Sequence, residues 1–228
     1  MKDVKVLVFD LDGVLIDNTL PGFVAINSIL EKIGMLPVKE DLLRQYWGMP
    51  LSELINVICH EQDASSKKQA KFMEKIKKVH IETRIDPRLA RVLKAAPDYG
   101  FLTGIITSRT RVGSEIGAEK HGLDLGMFHF LQTISDYPAC KPEADVFKPL
   151  FSYIYEVSDY GPHNVAYFGD TINYDLASVR NARSQGRLMK FIAVCSGVNK
   201  YEEFKRAGLD DGFIVPSYAG LSYYLDKL

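Results

Sequence analysis

The sequence predicts an α/β fold, a doubly wound parallel sheet with a smaller all-helical domain inserted after the first strand. Three observations predict it. Short β-branched apolar runs alternate with helical patterns from residue 85 onward, an apolar run at 4–9 opens the chain, and the stretch 18–84 between them carries helical periodicity without a strand signal. Near-continuous apolar strands joined by helices form parallel sheets buried on both faces, the Rossmann-like arrangement. With 228 residues the chain can build one substantial core and a smaller accessory one.

Taken in order, strands are predicted at 4–9, 102–107, 130–134, 165–168, 191–194 and 213–215. Helices are predicted at 111–121, 144–156, 175–182, 200–207 and 217–225, giving a sheet domain over 1–17 and 85–228. In the inserted domain, 18–84, Phe23, Ile26, Leu30 and Ile33 recur at helical spacing and Gly34 marks a stop. A second helix surrounds 42–46 and a third 51–59. The fourth is lysine-rich: Phe72, Ile76 and Val79 recur among Lys67, Lys68, Lys71, Lys75, Lys77 and Lys78, which makes the lysines the solvated face of an amphipathic helix. The segment 87–93 leads back into the sheet domain.

Composition narrows the function classes. A formal net charge of -1 supplies no general attraction to nucleic acid or anionic membrane. No apolar run reaches the roughly 18 residues that span a bilayer, and 4–9 is too short for the core of a signal peptide. Cys59, Cys140 and Cys195 form no CxxC pair and suit a reducing cytoplasm; Cys140, just before Lys141, gains some thiolate character from that cation or is a small filler. His60, His80, His121, His129 and His163 lack paired metal-ligand spacing. The absence of heptads makes a monomer the default.

Open parallel sheets bind ligands beyond the carboxyl ends of their strands. The first strand ends in Asp10-Leu11-Asp12-Gly13, two carboxylates that are costly to bury unless paired or metal-bound. An acidic turn would be the bland explanation. Three other strand ends argue against it: Thr107-Ser108 supplies hydroxyls, Lys141 in Cys140-Lys141-Pro142-Glu143 a compact cation, and Gly169-Asp170-Thr171, with Asp175 five residues on, further acids.

This combination resembles the haloacid dehalogenase-like hydrolase superfamily over essentially the whole chain. The DxDG(V/T) motif stands as Asp10 to Val14, the strand-closing hydroxyl as Thr107, the KPxxDxF lysine as Lys141 and GDxxxxD as Gly169-Asp170 through Asp175. Ala144 and Ser108 depart from the usual proline and asparagine, and 184–187 reads as a small insertion. The resemblance implies a Mg2+-dependent phosphatase acting on a small phosphorylated metabolite. It implies Asp10 as the nucleophile that forms an aspartyl-phosphate and Asp12 as general acid and base. Mg2+ would be held by Asp10, Asp170 and the Asp12 carbonyl, and the phosphoryl oxygens by Thr107, Ser108 and Lys141. Asp175 would orient Lys141 or a metal-bound water.

Other reactions of the superfamily separate on particular residues. Dehalogenases typically lack the second acid, so Asp12 argues for phosphoryl chemistry. Phosphonoacetaldehyde hydrolase needs a lid lysine, and the loop Tyr46-Trp47-Gly48-Met49-Pro50-Leu51 has none; it is more similar to the Gly-x-Pro-Leu text of phosphoglycolate phosphatase-like and pyrophosphatase-like members. A β-phosphoglucomutase-like phosphomutase would share every catalytic residue, and a non-catalytic phospholigand-binding member would have lost one. Arg44, Trp47, Gly48 and Met49 are candidate contacts to the leaving group, with packing between helices the alternative for Trp47 and Met49. Arg109 and Arg111 either reach a second anionic group or lie on the surface, and Asp17 stands at the hinge.

Overall fold

A computed structural model describes residues 3–79, 83–196 and 198–227; His80 and part of the predicted junction near residue 84 lie outside them. Six parallel strands form one sheet in the order β3-β2-β1-β4-β5-β6: β1 (Val6–Phe9), β2 (Leu102–Ile106), β3 (Phe130–Gln132), β4 (Val165–Gly169), β5 (Lys190–Val194) and β6 (Ile214–Val215). The Rossmann-like fold is thus the one the alternating pattern predicts.

Strand side chains alternate between faces, and both faces are buried. Leu7, Phe9, Ile105, Phe168 and Ile192 belong to one apolar cluster, which takes Leu89 and Leu93 from α5 (Pro87–Ala95), Ala118 from α6 (Arg111–His121) and Leu221 and Leu225 from a short C-terminal helix. Val6, Val8, Ile106, Tyr167 and Phe191 belong to the other. That cluster takes Leu150, Phe151 and Ile154 from α7 (Lys148–Val157), Val179 and Ala182 from α8 (Ala177–Ser184), and Phe204 from α9 (Tyr201–Arg206).

Between β1 and β2 stand α1 (Thr19–Lys32), α2 (Glu40–Tyr46), α3 (Leu51–Glu61) and α4 (Ser66–Ile76). Phe23, Ile26, Leu30, Leu43, Leu54, Ile55, Ile58 and Phe72 enclose an apolar cluster separate from the two on the sheet. Gly34, with φ +68°, follows the end of α1. Ser65 caps α4 through Lys68 N, and Lys68 Nζ donates to the Gly34 carbonyl at 2.6 Å.

Local departures from the predicted elements have local causes. The strand expected over 130–134 ends at Gln132, because Asp136 accepts from both Thr133 N (2.8 Å) and Thr133 Oγ1 (2.7 Å) and turns the chain away. The segment 87–93 is itself helical, with Asp86 capping Arg88 N and Leu89 N and Pro87 in the first turn. The helix predicted at 144–156 divides at Pro149, which lacks the N–H to continue a helix and starts one well.

Phe72 joins α4 to the helical cluster with no exposed surface. Phe72→Ala is expected to cost about 3–4 kcal/mol by lost transfer energy and cavity formation, measured by urea unfolding. A loss below about 1 kcal/mol would mean that α4 contributes little to the insertion.

Candidate active site

In this strand order the chain turns in opposite directions from the two adjacent central strands, β1 and β4, and their carboxyl ends open onto the resulting crevice. Asp10 follows β1, and its N–H continues the ladder to the Phe168 carbonyl at 2.9 Å. Thr107 follows β2 in the same way, bonded to the Gln132 carbonyl at 3.0 Å. Asp170 follows β4. With Lys141 and Asp175 these residues meet in one buried group, none more than 4% exposed.

Lys141 lies between two acids, with Nζ 2.9 Å from Asp10 Oδ1 and 2.7 Å from Asp175 Oδ1. Asp175 Oδ1 also accepts from the Tyr167 hydroxyl at 2.9 Å, and Oδ2 from Thr171 Oγ1 (2.6 Å), Thr171 N (3.0 Å) and Asp170 N (3.2 Å). Five donors therefore fix this carboxylate. Of the two partners the sequence left open for Asp175, the geometry supplies Lys141 directly.

Asp170 is the opposite case. Both of its carboxylate oxygens are buried without a hydrogen-bond partner. They lie against Gly13, where a Cβ would come within 2.1 Å of Asp170 Oδ2 and where φ is +76°, so position 13 needs glycine twice over. Asp10, Asp170 and Asp175 each offer a carboxylate oxygen within 4.8 Å of the others. Burial and then the charges of Asp175 and Asp10 push Asp170 well above the usual carboxylate range. Burial pushes Asp10 up to about 7, against the pull of Lys141. Hard oxygen donors, surplus negative charge and an orphaned carboxylate fit a divalent cation.

Asp12 is held by a residue whose role the sequence left open. Arg109 Nε donates to Oδ2 and Nη2 to Oδ1, both at 2.7 Å, and Asn18 Nδ2 also donates to Oδ1. Burial alone would raise the Asp12 pKa, yet the Arg109 charge and hydrogen bonds bring it below its ordinary value. Arg109 Nη1 is in turn held by the Gly113 carbonyl at 3.1 Å. A Cβ on Gly117 would come within 2.2 Å of that nitrogen, so α6 makes room for the guanidinium with a glycine.

The remaining candidates divide. Ser108 Oγ donates to the Gly48 carbonyl at 2.6 Å, Arg44 Nη1 donates to the Val198 carbonyl, and Asn173 Nδ2 to the Gln45 carbonyl at 3.4 Å; these three bonds join α2 and the loop after it to residues that follow β2, β4 and β5. Trp47 and Met49 pack on the helical cluster, Trp47 edge-on to Phe23 with centroids 4.8 Å apart. Arg111 pairs with Asp136 at 2.7 Å and donates to the Leu131 carbonyl at 3.2 Å. Of the two readings of Cys140, thiolate character fails: burial and the Glu143 carboxylate push its thiol up, and Lys141 is committed to Asp10 and Asp175. Tyr167 and Thr171 were not singled out from the sequence. Tyr167 reads as one more apolar strand residue, whereas Thr171 stood in the Gly-Asp-Thr text.

Known proteins resemble the chain in family and in fold. A family model described as haloacid dehalogenase-like hydrolase matches residues 7–193. Among solved structures, a predicted phosphoglycolate phosphatase from Haemophilus somnus 129PT superposes with a TM-score of 0.74 at 19% identity, over 97% of each chain. A hydrolase from Pseudomonas syringae gives 0.75 at 20% identity, over 98% of this chain and 99% of that one. A β-phosphoglucomutase from Clostridium difficile gives 0.69 at 16% identity, over 98% of both. At these identities the likeness is one of fold. No curated protein matches the sequence.

The raised acids set a pH dependence. Asp10 moves from an ordinary 3.8 up to about 7 and Asp170 moves in the same direction, so the folded chain binds protons that the unfolded chain has released. Their protonated forms favour folding at low pH, and that contribution is lost as pH rises toward the folded values. In chelator, the melting temperature is therefore expected to fall between about pH 6 and pH 8, by an amount on the order of 1 kcal/mol in stability. Millimolar Mg2+ should recover more at pH 8 than at pH 6. A flat profile without metal, or no response to it, would contradict the charge balance described here.

Proposed function

The chain belongs to the haloacid dehalogenase-like hydrolase family, and from that premise we propose that it is a magnesium-dependent phosphatase of small phosphorylated metabolites, working through an aspartyl-phosphate. One observation carries the reading. Asp10 projects from the central strand with Lys141 at 2.9 Å, the orphaned carboxylate of Asp170 beside it and a second acid, Asp12, two residues on.

Asp10 is the nucleophile. Leu11 N (2.7 Å) and Lys141 Nζ hold its Oδ1, which orients the other oxygen for in-line attack on phosphorus. Lys141, Thr107 and Ser108 take the phosphoryl oxygens, Lys141 kept in place by the five-fold anchored Asp175 and Ser108 by exchanging its bond to Gly48. Asp10, Asp170 and the backbone carbonyl of Asp12 would hold Mg2+, which when bound supplies positive charge to the phosphoryl group.

Asp12 is the acid and base. Clamped by Arg109 it is a carboxylate, the form that takes a proton from the water attacking the phospho-aspartate. To protonate a leaving group in the first step it must loosen from Arg109 and take up a proton from solvent, a change that substrate entry beneath the α2–α3 loop would bring about; the attacking water of the second step then returns a proton to it. The helices of 18–84 serve as a cap on the domain formed by 1–17 and 85–228, closing the site from bulk water. In that cap Arg44 and Gly48 are the nearer candidates for substrate contact, since Trp47 and Met49 are engaged in packing.

Asp10→Asn, assayed with Mg2+ on phosphomonoesters, sugar phosphates, nucleotides and pyrophosphate, is expected to lower kcat by about a thousandfold or more, because the covalent route is lost. Chelator should silence the wild type equally. Retained turnover in either case would sink the reading. An absolute requirement for a sugar bisphosphate would replace the phosphatase by a phosphomutase built on the same residues.

A further inference from the structure

Thr19 opens helix α1 and has no exposed surface, yet its hydroxyl has no hydrogen-bond partner. A buried hydroxyl left in that condition is destabilising, so its placement calls for a cause. The surroundings point to one. A Cβ built on Gly13 would lie 3.1 Å from Thr19 Oγ1 and 2.1 Å from Asp170 Oδ2, so the hydroxyl and the orphaned carboxylate oxygen flank the same narrow space. No direct bond joins them, and two hydrogen bonds of about 2.8 Å through a shared water span such a gap. Ser196 Oγ donates to the Gly13 carbonyl and steadies the loop between them.

We propose that Thr19 is a positioning residue of the metal site, its hydroxyl holding a water of the cation's coordination sphere against Asp170. The inference rests on the metal reading given under Proposed function and adds a residue that the motif text does not contain. Mg2+ and Mn2+ retain several waters when bound by carboxylates, and the groups that hold those waters tune affinity. Thr19 is also the first residue of α1, the first helix of the insertion. A water held by its hydroxyl ties the cation to α1, so metal binding steadies the end of α1 from which the insertion springs.

The test is Mn2+ binding to the full chain, followed by electron paramagnetic resonance of the free ion, for the wild type, Thr19→Val and Thr19→Ser. Valine keeps the shape and removes the hydroxyl. Its dissociation constant is expected to rise about tenfold, while serine stays within about twofold of wild type, both retaining the wild-type circular dichroism and the valine variant melting no lower than wild type in chelator. If the valine variant fails to fold, Thr19→Ala takes its place against Thr19→Ser. Equal affinity in the hydroxyl-less variant, or a serine variant as weak as it, would overturn the role of Thr19 and leave the metal site standing. Absence of Mn2+ binding by the wild type would overturn the metal reading and this inference together.

Discussion

Everything at the carboxyl edge of this sheet depends on an excess of buried negative charge. Asp10, Asp12, Asp170 and Asp175 converge there, and the cations among them are Lys141 and Arg109. Burying an unpaired carboxylate costs several kcal/mol, and like charges a few ångströms apart add to it. The protein neutralises what it can. Asp175 is saturated with donors, Asp12 is clamped bidentately, and Asp10 shares Lys141. Asp170 is left over, and its two unpartnered oxygens make the edge a receptor for positive charge.

The fold tolerates this because the neighbouring structure is stiff. β1 is paired on both sides, to β2 and to β4, and two apolar clusters cover its faces. That placement keeps the end of β1 from fraying under the crowded charges. Small residues then make the close approaches: Gly13 admits the Asp170 carboxylate, and Gly117 admits the Arg109 guanidinium from across α6. A side chain at either position would push a charged group out of place at little cost to the rest of the core. These glycines belong to the site as much as the acids they accommodate.

The sheet and the acids were readable because both follow short-range rules. Alternation of apolar runs and helical periods announces the parallel sheet, and an acid directly after a buried strand stands out against the apolar residues before it. Arg109 was read as an anion contact or a surface residue, because its partner Asp12 lies 97 residues away in sequence and nothing local links them. Tyr167 was hidden for a different reason: its ring satisfies the apolar strand pattern, and only the third dimension reveals the hydroxyl meeting Asp175. Trp47 and Met49 were equally open, since large apolar side chains serve packing and ligand contact alike. Their place on the helical cluster follows from a contact such as Trp47 on Phe23, 24 residues apart in sequence, which periodicity does not report.

The central claim is that phosphoryl transfer passes through Asp10. The most direct measurement is to quench the protein with acid during turnover of an activated aryl phosphate in Mg2+, reduce it with borohydride and map the peptides by mass spectrometry. Homoserine, the product of reducing an aspartyl-phosphate, is expected at position 10 in wild type and not when Mg2+ is replaced by chelator. Turnover that leaves Asp10 unmodified, or reduction at another residue, would contradict it.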